Sequence, residues 1–541
     1  MYRLLTRLIN AYFWAYAASA LVAAILLIGG NAEIASPTSA FLLMLAMPWS
    51  QFLAMIDTLW GSINIWVHWS VIGLSILLNL LICYGLLTAL RLKRWQRMTK
   101  PHSGEPAAYL EKFLNIFTDV RSGEAASALL LALNIFLILS AYYVLKPVRE
   151  ALILSSGGAE IKSYAAAGQA MLLLVAIPLY SWLANHVSRR LLINAVTFFF
   201  IGCLLVFFVL HAYEVPLGVV FFLWVGIFNL MVPAQFWAFA NDIYTPEAGK
   251  RLFVIVAFGA SLGAVTGSYI DSVLIASLGV YNLMLVAAGI LASSLVVTHV
   301  VDYLEHKSEL TADREETAAP EETFSKAGAF SMVVQNRYLL LIAVLMLLLN
   351  WVNTTGEYIL GKTVLANAEA LVKSGQTEYT SVEAYIGGFY ANLYSVVNIL
   401  GVVLQLFVVS RLLKYLGVRV AVLILPIIAM GGYMLAAFYP VLEILRMTKT
   451  AENATDYSVQ NTVRQVLFLP TTREEKYKAK QAIDTFFVRS GDVLSAGLIF
   501  AGTSYWSMNT QQFAMVNSAL VLVWLVVAFY VGSRYQALTK E

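Results

Sequence analysis

Apolar runs long enough to cross a bilayer recur along nearly the whole chain, and a water-soluble core could not hide so many of them. A membrane-spanning helix needs about 20 apolar residues. Of 541 residues, 60% are hydrophobic and only 12% are charged, where a soluble domain carries roughly 25% charged residues. The mean hydropathy of +0.75 points the same way. The chain is therefore read as an all-α polytopic membrane protein. Its net charge of +3 says little about partners, and the distribution of charge says more. Cys83 and Cys203 both sit inside apolar runs. They read as buried thiols and form neither a disulfide framework nor a metal motif.

Two early spans are expected at Tyr12–Gly29 and Asn64–Leu90, with Ala40–Trp60 lying in the interface or re-entering between them. The basic start MYRLLTRLIN imitates a signal peptide, but no convincing small-residue cleavage site follows, so the first helix is expected to be retained. Arg91, Lys93, Arg94, Arg97 and Lys100 then mark the cytoplasmic side, and a short amphipathic stretch follows near Tyr109–Val120. Twelve more spans form a core. They are α1 (Ala125–Leu154), α2 (Tyr164–Leu183), α3 (Leu191–Ala212), α4 (Pro216–Ala240), α5 (Leu252–Leu274) and α6 (Leu278–Val301). After a charged stretch come α7 (Leu339–Leu360), α8 (Tyr385–Val409), α9 (Val418–Phe438), α10 (Val441–Leu467), α11 (Ile483–Ala501) and α12 (Phe513–Val531).

Loop charge orients the core. Basic loops at His186–Arg190, Lys250–Arg251, Arg411–Lys414, Arg473–Lys480 and Arg534–Lys540 all fall on one side, whereas loops near His211–Val215, Tyr439–Pro440 and Gly502–Thr510 hold no Lys or Arg. The asymmetry places both termini in the cytoplasm, which suits a bacterial inner membrane. Tyr303–Gln335, with Glu315, Glu316, Glu321 and Glu322, reads as a flexible connector. The two sets of six helices echo each other. Ser188-Arg189-Arg190-Leu191 after α2 matches Ser410-Arg411-Leu412-Leu413 after α8, and Thr245–Arg251 after α4 matches Thr472–Lys476 after α10. Six spans, a charged loop and six spans is the layout of a major-facilitator-type transporter, with a site near the midplane between repeats. The domains expected are an extension over residues 1–104, a first half over 105–302, a linker over 303–337 and a second half over 338–541.

The span α10 breaks the apolar rule. Arg446, Lys449, Asn453, Asp456, Tyr457, Gln460, Asn461 and Arg464 recur at steps of three and four and so share one helix face. A charge in hydrocarbon costs at least about 2.5–3.5 kcal/mol, so this face should meet a wet cavity. Basic and amide groups there suit an anionic, hydrogen-bonding cargo. The competing reading is a structural ion-pair network, with Glu452 and Asp456 neutralising the cations. In α1, Tyr142, Tyr143, Lys146, Pro147, Arg149 and Glu150 make a second polar group, and Pro147 should bend the helix. Arg149 can hold phosphate through its planar fork, or it can simply pair with Glu150. Trp237, within Gln235–Asp242 at the end of α4, can stack a planar base or belong to an interfacial belt. In α5, Gly259, Gly263 and Gly267 make a close-packing stripe that would let the helix slide or rock against a neighbour. In α7, Asn350, Asn353, Thr354 and Glu357 share a face. Glu357 can carry a coupling proton, neutralise a cavity cation or cap a break at Gly356. Asp484, Arg489 and Asp492 of α11 read as gate or inter-repeat ion pairs. No phosphate loop, metal-spaced His pair or nucleophile elbow is present, so no enzyme, cofactor, metal or nucleic-acid partner is expected.

From about Phe113 onward the chain resembles the nucleotide transporter family, the ATP/ADP translocases of plastids and intracellular bacteria. The most specific string is Asp456-Tyr457-Ser458, Arg464, Leu469-Pro470 and Lys476-Tyr477-Lys478-Ala479-Lys480-Gln481-Ala482-Ile483-Asp484. Phe236-Trp237-Ala238-Phe239-Ala240-Asn241 and Leu145–Leu152 are similar to two further family motifs. The resemblance implies a major-facilitator-like fold and exchange of nucleotides, commonly ATP for ADP. It sets Arg149 and Arg464 at the family's functional lysines. The family's acids in the fourth and seventh core helices fall at Val225 and Asn353, with Glu357 one turn later.

The reading is a secondary transporter of anionic, phosphorylated metabolites, with ATP/ADP exchange first. Lys146, Arg149 and Arg464 would bind phosphate, helped by Arg446 and Lys449 at one mouth. Asn350, Asn353, Asn453, Gln460 and Asn461 would hydrogen-bond base or ribose, and Tyr142, Tyr143 and Trp237 would stack. Glu150, Glu357, Asp484, Arg489 and Asp492 would couple or gate. The alternatives are a transporter of another cargo, such as an organic phosphate, lipid or other anion, and a non-transporting scaffold or receptor.

Overall fold

Backbone N–H and C=O groups find no partners in hydrocarbon, so a spanning chain must satisfy them within each segment. Every described element of this protein is accordingly a helix. The computed structural model describes residues 118, 120, 124–244, 246–309, 329–472 and 474–540. The two early spans, Ala40–Trp60, the basic cluster and most of the stretch near Tyr109–Val120 lie outside the described residues.

All twelve core helices are present. Glu124–His186 and Pro246–Glu309 are each continuous except at one glycine, Gly158 (φ 73°, ψ −179°) and Gly279 (φ 76°, ψ 170°). An unbroken 63-residue helix would be about 95 Å long, far beyond a bilayer. The break divides it into α1 (124–157) and α2 (159–186). Gly279 separates α5 (246–278) from α6 (280–309) in the same way. Both torsion pairs lie where only glycine is at ease. The other helices are α3 (Arg189–His211), α4 (Gly218–Ile243), α7 (Arg337–Ser374), α9 (Gly417–Phe438) and α12 (Thr510–Lys540). The span α8 runs from Val382 through a π-turn at Gln405–Val409 to Tyr415, and α10 runs from Leu442 through a π-turn at Asp456–Gln460 to Leu467. The span α11 opens with π-turns at Glu475–Ala479 and Ile483–Phe487 and ends at Ser504.

Two expectations shift. The start of α2 lies five residues earlier than the apolar run, so Glu160 and Lys162 are helical. The charged connector is helical at both ends, where α6 continues to Glu309 and a short helix covers Ala329–Gln335. Pro147 keeps helical torsions, the only non-helical residue of that element being Gly158.

Burial separates inner from outer helices. The most apolar window of the α1–α2 element is 61% buried, against 33% for α3, whose Phe198, Phe199, Leu205 and Val206 are exposed as lipid-facing residues should be. The α5 stripe packs on α1. A Cβ at Gly259, Gly263 or Gly267 would lie 2.3, 2.3 or 2.4 Å from the carbonyl oxygens of Ala132, Phe136 and Ser140. The stripe thus interlocks α5 with α1, a neighbour in the same set of six. The two sets meet where Asn398 of α8 donates to Ala264 O (3.2 Å) and Ser268 Oγ (2.9 Å) of α5. The Leu154 side chain of α1 also lies against Gly361 of α7.

Candidate functional site

Inside the bundle, charged side chains from both sets of helices form one continuous chain. Arg149 pairs with the neighbouring Glu150, its Nε donating at 3.1 Å. The other oxygen of Glu150 lies 2.6 Å from Lys162 Nζ of α2. Lys162 reaches across to Glu357 of α7 at 3.5 Å. The second oxygen of Glu357 lies 3.3 Å from Lys449 of α10. Lys449 also contacts Glu452 at 3.1 Å and donates to Asn353 Oδ1 at 2.7 Å. Tyr433 of α9 closes the chain by donating to Glu452 at 2.7 Å. Buried ions demand such partners, because desolvation is repaid only by close opposite charge and hydrogen bonds.

Lys146 stands beside this chain with no carboxylate in ion-pair contact among the described residues. Its ammonium donates to Tyr457 Oη at 3.1 Å. It sits 3.8 Å from the ring centroid of Tyr394 and 5.4 and 5.5 Å from those of Tyr143 and Tyr457. All three rings are within cation–π range. Tyr394 and Tyr457 belong to the last six helices and Tyr143 to the first six, so the cage spans both sets. The cluster therefore holds four cations, Lys146, Arg149, Lys162 and Lys449, against Glu150, Glu357 and Glu452.

The other predicted residues fall in separate places. Arg464 donates to Asp484 at 3.0 Å, and Lys480 lies 3.7 Å from the same carboxylate, at the basic-loop end of α10 and α11. Asp492 accepts from Asn350 (2.9 Å) and Thr354 (2.7 Å) and pairs with Arg489 (3.3 Å), tying α7 to α11. Of the two readings for these α11 charges, gate or inter-repeat ion pair, the pairs seen lie inside the last six helices and do not join the two sets. Arg446 donates to Asn392 at 2.6 Å near the opposite end of α10. Lys449, expected at a mouth, has a wholly buried side chain. Asn453 is buried and Asn461 exposed, so the two do not share one environment. Trp237 packs against Phe253 of α5, 5.5 Å between centroids. Glu357 caps no break, because Gly356 is helical and lies against Tyr433.

Sequence reasoning missed Lys162, Glu160 and Tyr433, and quoted Gln235 only within the string around Trp237. Glu160 accepts from Lys362 (2.8 Å) and Tyr358 (2.9 Å) of α7, and Ser155 donates to Glu383 of α8 at 3.2 Å, so these pairs tie the two sets at the Gly158 end. Hydropathy placed residues 155–163 in a loop, and this concealed them. Gln235 of α4 and Gln460 of α10 are buried with both amide atoms free of partners among the described residues. They occupy corresponding places in the two repeats, which is the one sequence signal that could have joined them.

This architecture and its buried charge define a class, and the comparisons agree with it. The profile of the Major Facilitator Superfamily matches residues 125–451. The chain belongs to that superfamily and is a multi-pass membrane transporter. ADP,ATP carrier protein 4 of Rickettsia bellii is 24% identical over 348 residues, 55% of this chain and 63% of that protein. ADP,ATP carrier protein 1 of Chlamydia trachomatis is 22% identical over 356 residues, 57% of this chain and 63% of that protein. The matches thus span less than two thirds of each carrier's length, and they accord with the resemblance read from the motifs. Among solved structures, the nucleoside transporter NupG has a TM-score of 0.52 at 13% identity, covering 77% of this chain and 99% of that one. The POT family transporter PepTSo has a TM-score of 0.53 at 11% identity, covering 76% of this chain and 98% of that one.

Proposed function

We propose that this transporter exchanges anionic, phosphorylated metabolites, ATP for ADP first among them, by rocking α1–α6 against α7–α12. The observation that carries the reading is Lys146. It is a buried cation with no carboxylate in ion-pair contact among the described residues, where a tyrosine hydroxyl and three rings contributed by both sets of helices surround it. A phosphate oxygen would offer this ammonium a charge-assisted hydrogen bond that the rings cannot. Arg149 would join once its bond to Glu150 is shared with the cargo. Gln235 and Gln460 would hydrogen-bond a base or ribose, Asn353 and Asn453 would assist, and Tyr143, Tyr394 and Tyr457 would stack. Arg464 and Asp484 would act as a latch at the basic-loop end, and Glu150, Lys162 and Glu357 as the tie that re-forms in each cycle. The halves are residues 105–302 and 338–541, the linker is 303–337, and both termini face the cytoplasm of an inner membrane.

The test is counterflow in proteoliposomes preloaded with ADP, following labelled ATP taken up by wild type, Lys146→Ala and Arg464→Ala. Wild type is expected to take up ATP only with ADP inside. Lys146→Ala is expected to fall to background while keeping its melting temperature, and Arg464→Ala to retain partial rate. No uptake by folded wild type would sink the nucleotide reading and move the search to other phosphorylated anions by thermal shift.

A further inference from the structure

The buried acids at the centre of the bundle each have a cation within reach. Glu150 has Lys162 at 2.6 Å, Glu357 and Glu452 have Lys449 at 3.3 and 3.1 Å, and Asp492 has Arg489 at 3.3 Å. Asp271 of α5 differs. It is fully buried, and neither carboxylate oxygen has a hydrogen-bond partner among the described residues.

Its place in the fold is specific. Ala264, Ser268, Asp271 and Ile275 form one stripe of α5, at steps of three and four. On that stripe Ala264 and Ser268 accept from Asn398 of α8, and Ile275 reaches the backbone of Gly387 of α8. The register between those contacts sets Asp271 opposite the turn of α8 that holds Ala391 and Tyr394. On the α1 side, Gly267 lies over Ser140, and the next step sets Asp271 opposite Val144. Ala391 and Val144 are both fully buried and apolar. Of the titratable groups on the adjoining helices, Glu383 of α8 accepts from Ser155, and the buried hydroxyl of Tyr390 has no hydrogen-bond partner among the described residues, Asp271 included. Lys146 is caged by Tyr143, Tyr394 and Tyr457, Lys162 lies by Tyr390, and Tyr142 stacks on Phe228. The charges of α3 stand only at its ends, as Arg189, Arg190 and His211. An ionised carboxylate at Asp271 would be buried with neither a cation nor a hydrogen-bond donor among the described residues, a costly arrangement while this seam is closed.

We propose that Asp271 is a proton-binding site coupled to closure of the seam between α5 and α8. The ligand is a proton from water, taken onto a carboxylate oxygen as the seam shuts and returned to water as it opens. The site rests on the reading of the two sets as halves that rock. It moves proton linkage away from Glu357, which two lysines hold as an ion pair, to an acid with no such partner.

The test uses the full chain in proteoliposomes with Cys83 and Cys203 replaced by Ser. Fluorophores on Ser277→Cys and Glu378→Cys, at the Gly279 end, report seam closure. In wild type the two labels are expected to be close at low pH and to separate as pH rises from about 5 to about 9. Asp271→Asn, a permanent neutral mimic, is expected to stay close at every pH, and Asp271→Leu to do the same. A wild-type distance that ignores pH would overturn the proposal, as would an Asp271→Asn protein that titrates like wild type. The distance needs no cargo, so failed nucleotide counterflow bears on the exchange reading alone.

Discussion

Lys449 shows how one side chain sets the balance at the centre. Its ammonium has no exposed surface and touches Glu357, Glu452 and Asn353. Breaking a buried ion pair by removing one partner costs about 3–5 kcal/mol, because the other charge remains in low dielectric. Lys449→Met should therefore lower the melting temperature sharply, and adding Glu452→Gln should restore part of the loss. A double variant no more stable than the single one would argue that Glu452 is satisfied without Lys449. The amino-acid sequence already pointed to Lys449 and Glu357 as intramembrane charges. It could not show that they meet, because their contact depends on the angle between α7 and α10. Lys162 was hidden for another reason. It lies in the first turn of α2 at the edge of an apolar run, where a loop and a helix look alike to hydropathy.

At the scale of the helix, α5 and α1 behave as one body. The Gly263 backbone approaches the Phe136 carbonyl so closely that a side chain there would have to push two helices apart. Gly263→Val should cost at least about 1–3 kcal/mol through overpacking. Gly289→Ala in α6, where a Cβ meets nothing within 4 Å, should be neutral. Thermal unfolding in detergent separates the two, and equal stability of both variants would contradict the interlock. The glycine period was legible in the sequence; its partner was not, since any neighbour would have satisfied it. Conversely, α10 was legible although its composition is hydrophilic. Eight described segments, holding α1–α9 and α12, are long and apolar enough to cross a membrane, and neither α10 nor α11 is among them. The polar residues of α10 nevertheless repeat with helical period, and periodicity survives where mean hydropathy fails.

Across the molecule, the ties at the Gly158 end join α1 and α2 to α7 and α8 through Glu160–Lys362 and Ser155–Glu383. If the two sets rock, these ties must break in each cycle. Cysteines at Ser155 and Glu383, in a protein lacking Cys83 and Cys203, should be bridged by a reducible bifunctional thiol reagent. Counterflow should then stop, and should return on reduction. Full cross-linking with unchanged counterflow would rule out separation at this end. The twelve-helix plan came from span counting and loop charge, both of which are local. The buried charge chain is a long-range property, made of residues from five helices.

The four π-turns of α8, α10 and α11 have a consequence for how this gene can change length. A π-turn holds one residue more than the α-turn it replaces. Loss of one codon at 405–409, 456–460, 475–479 or 483–487 would let the helix relax to α-form with both flanks still facing as before. The same loss elsewhere in a span would rotate everything beyond it by about 100° and turn lipid-facing residues inward. Single-residue length differences among descendants of this chain are therefore confined, within α8, α10 and α11, to these four points.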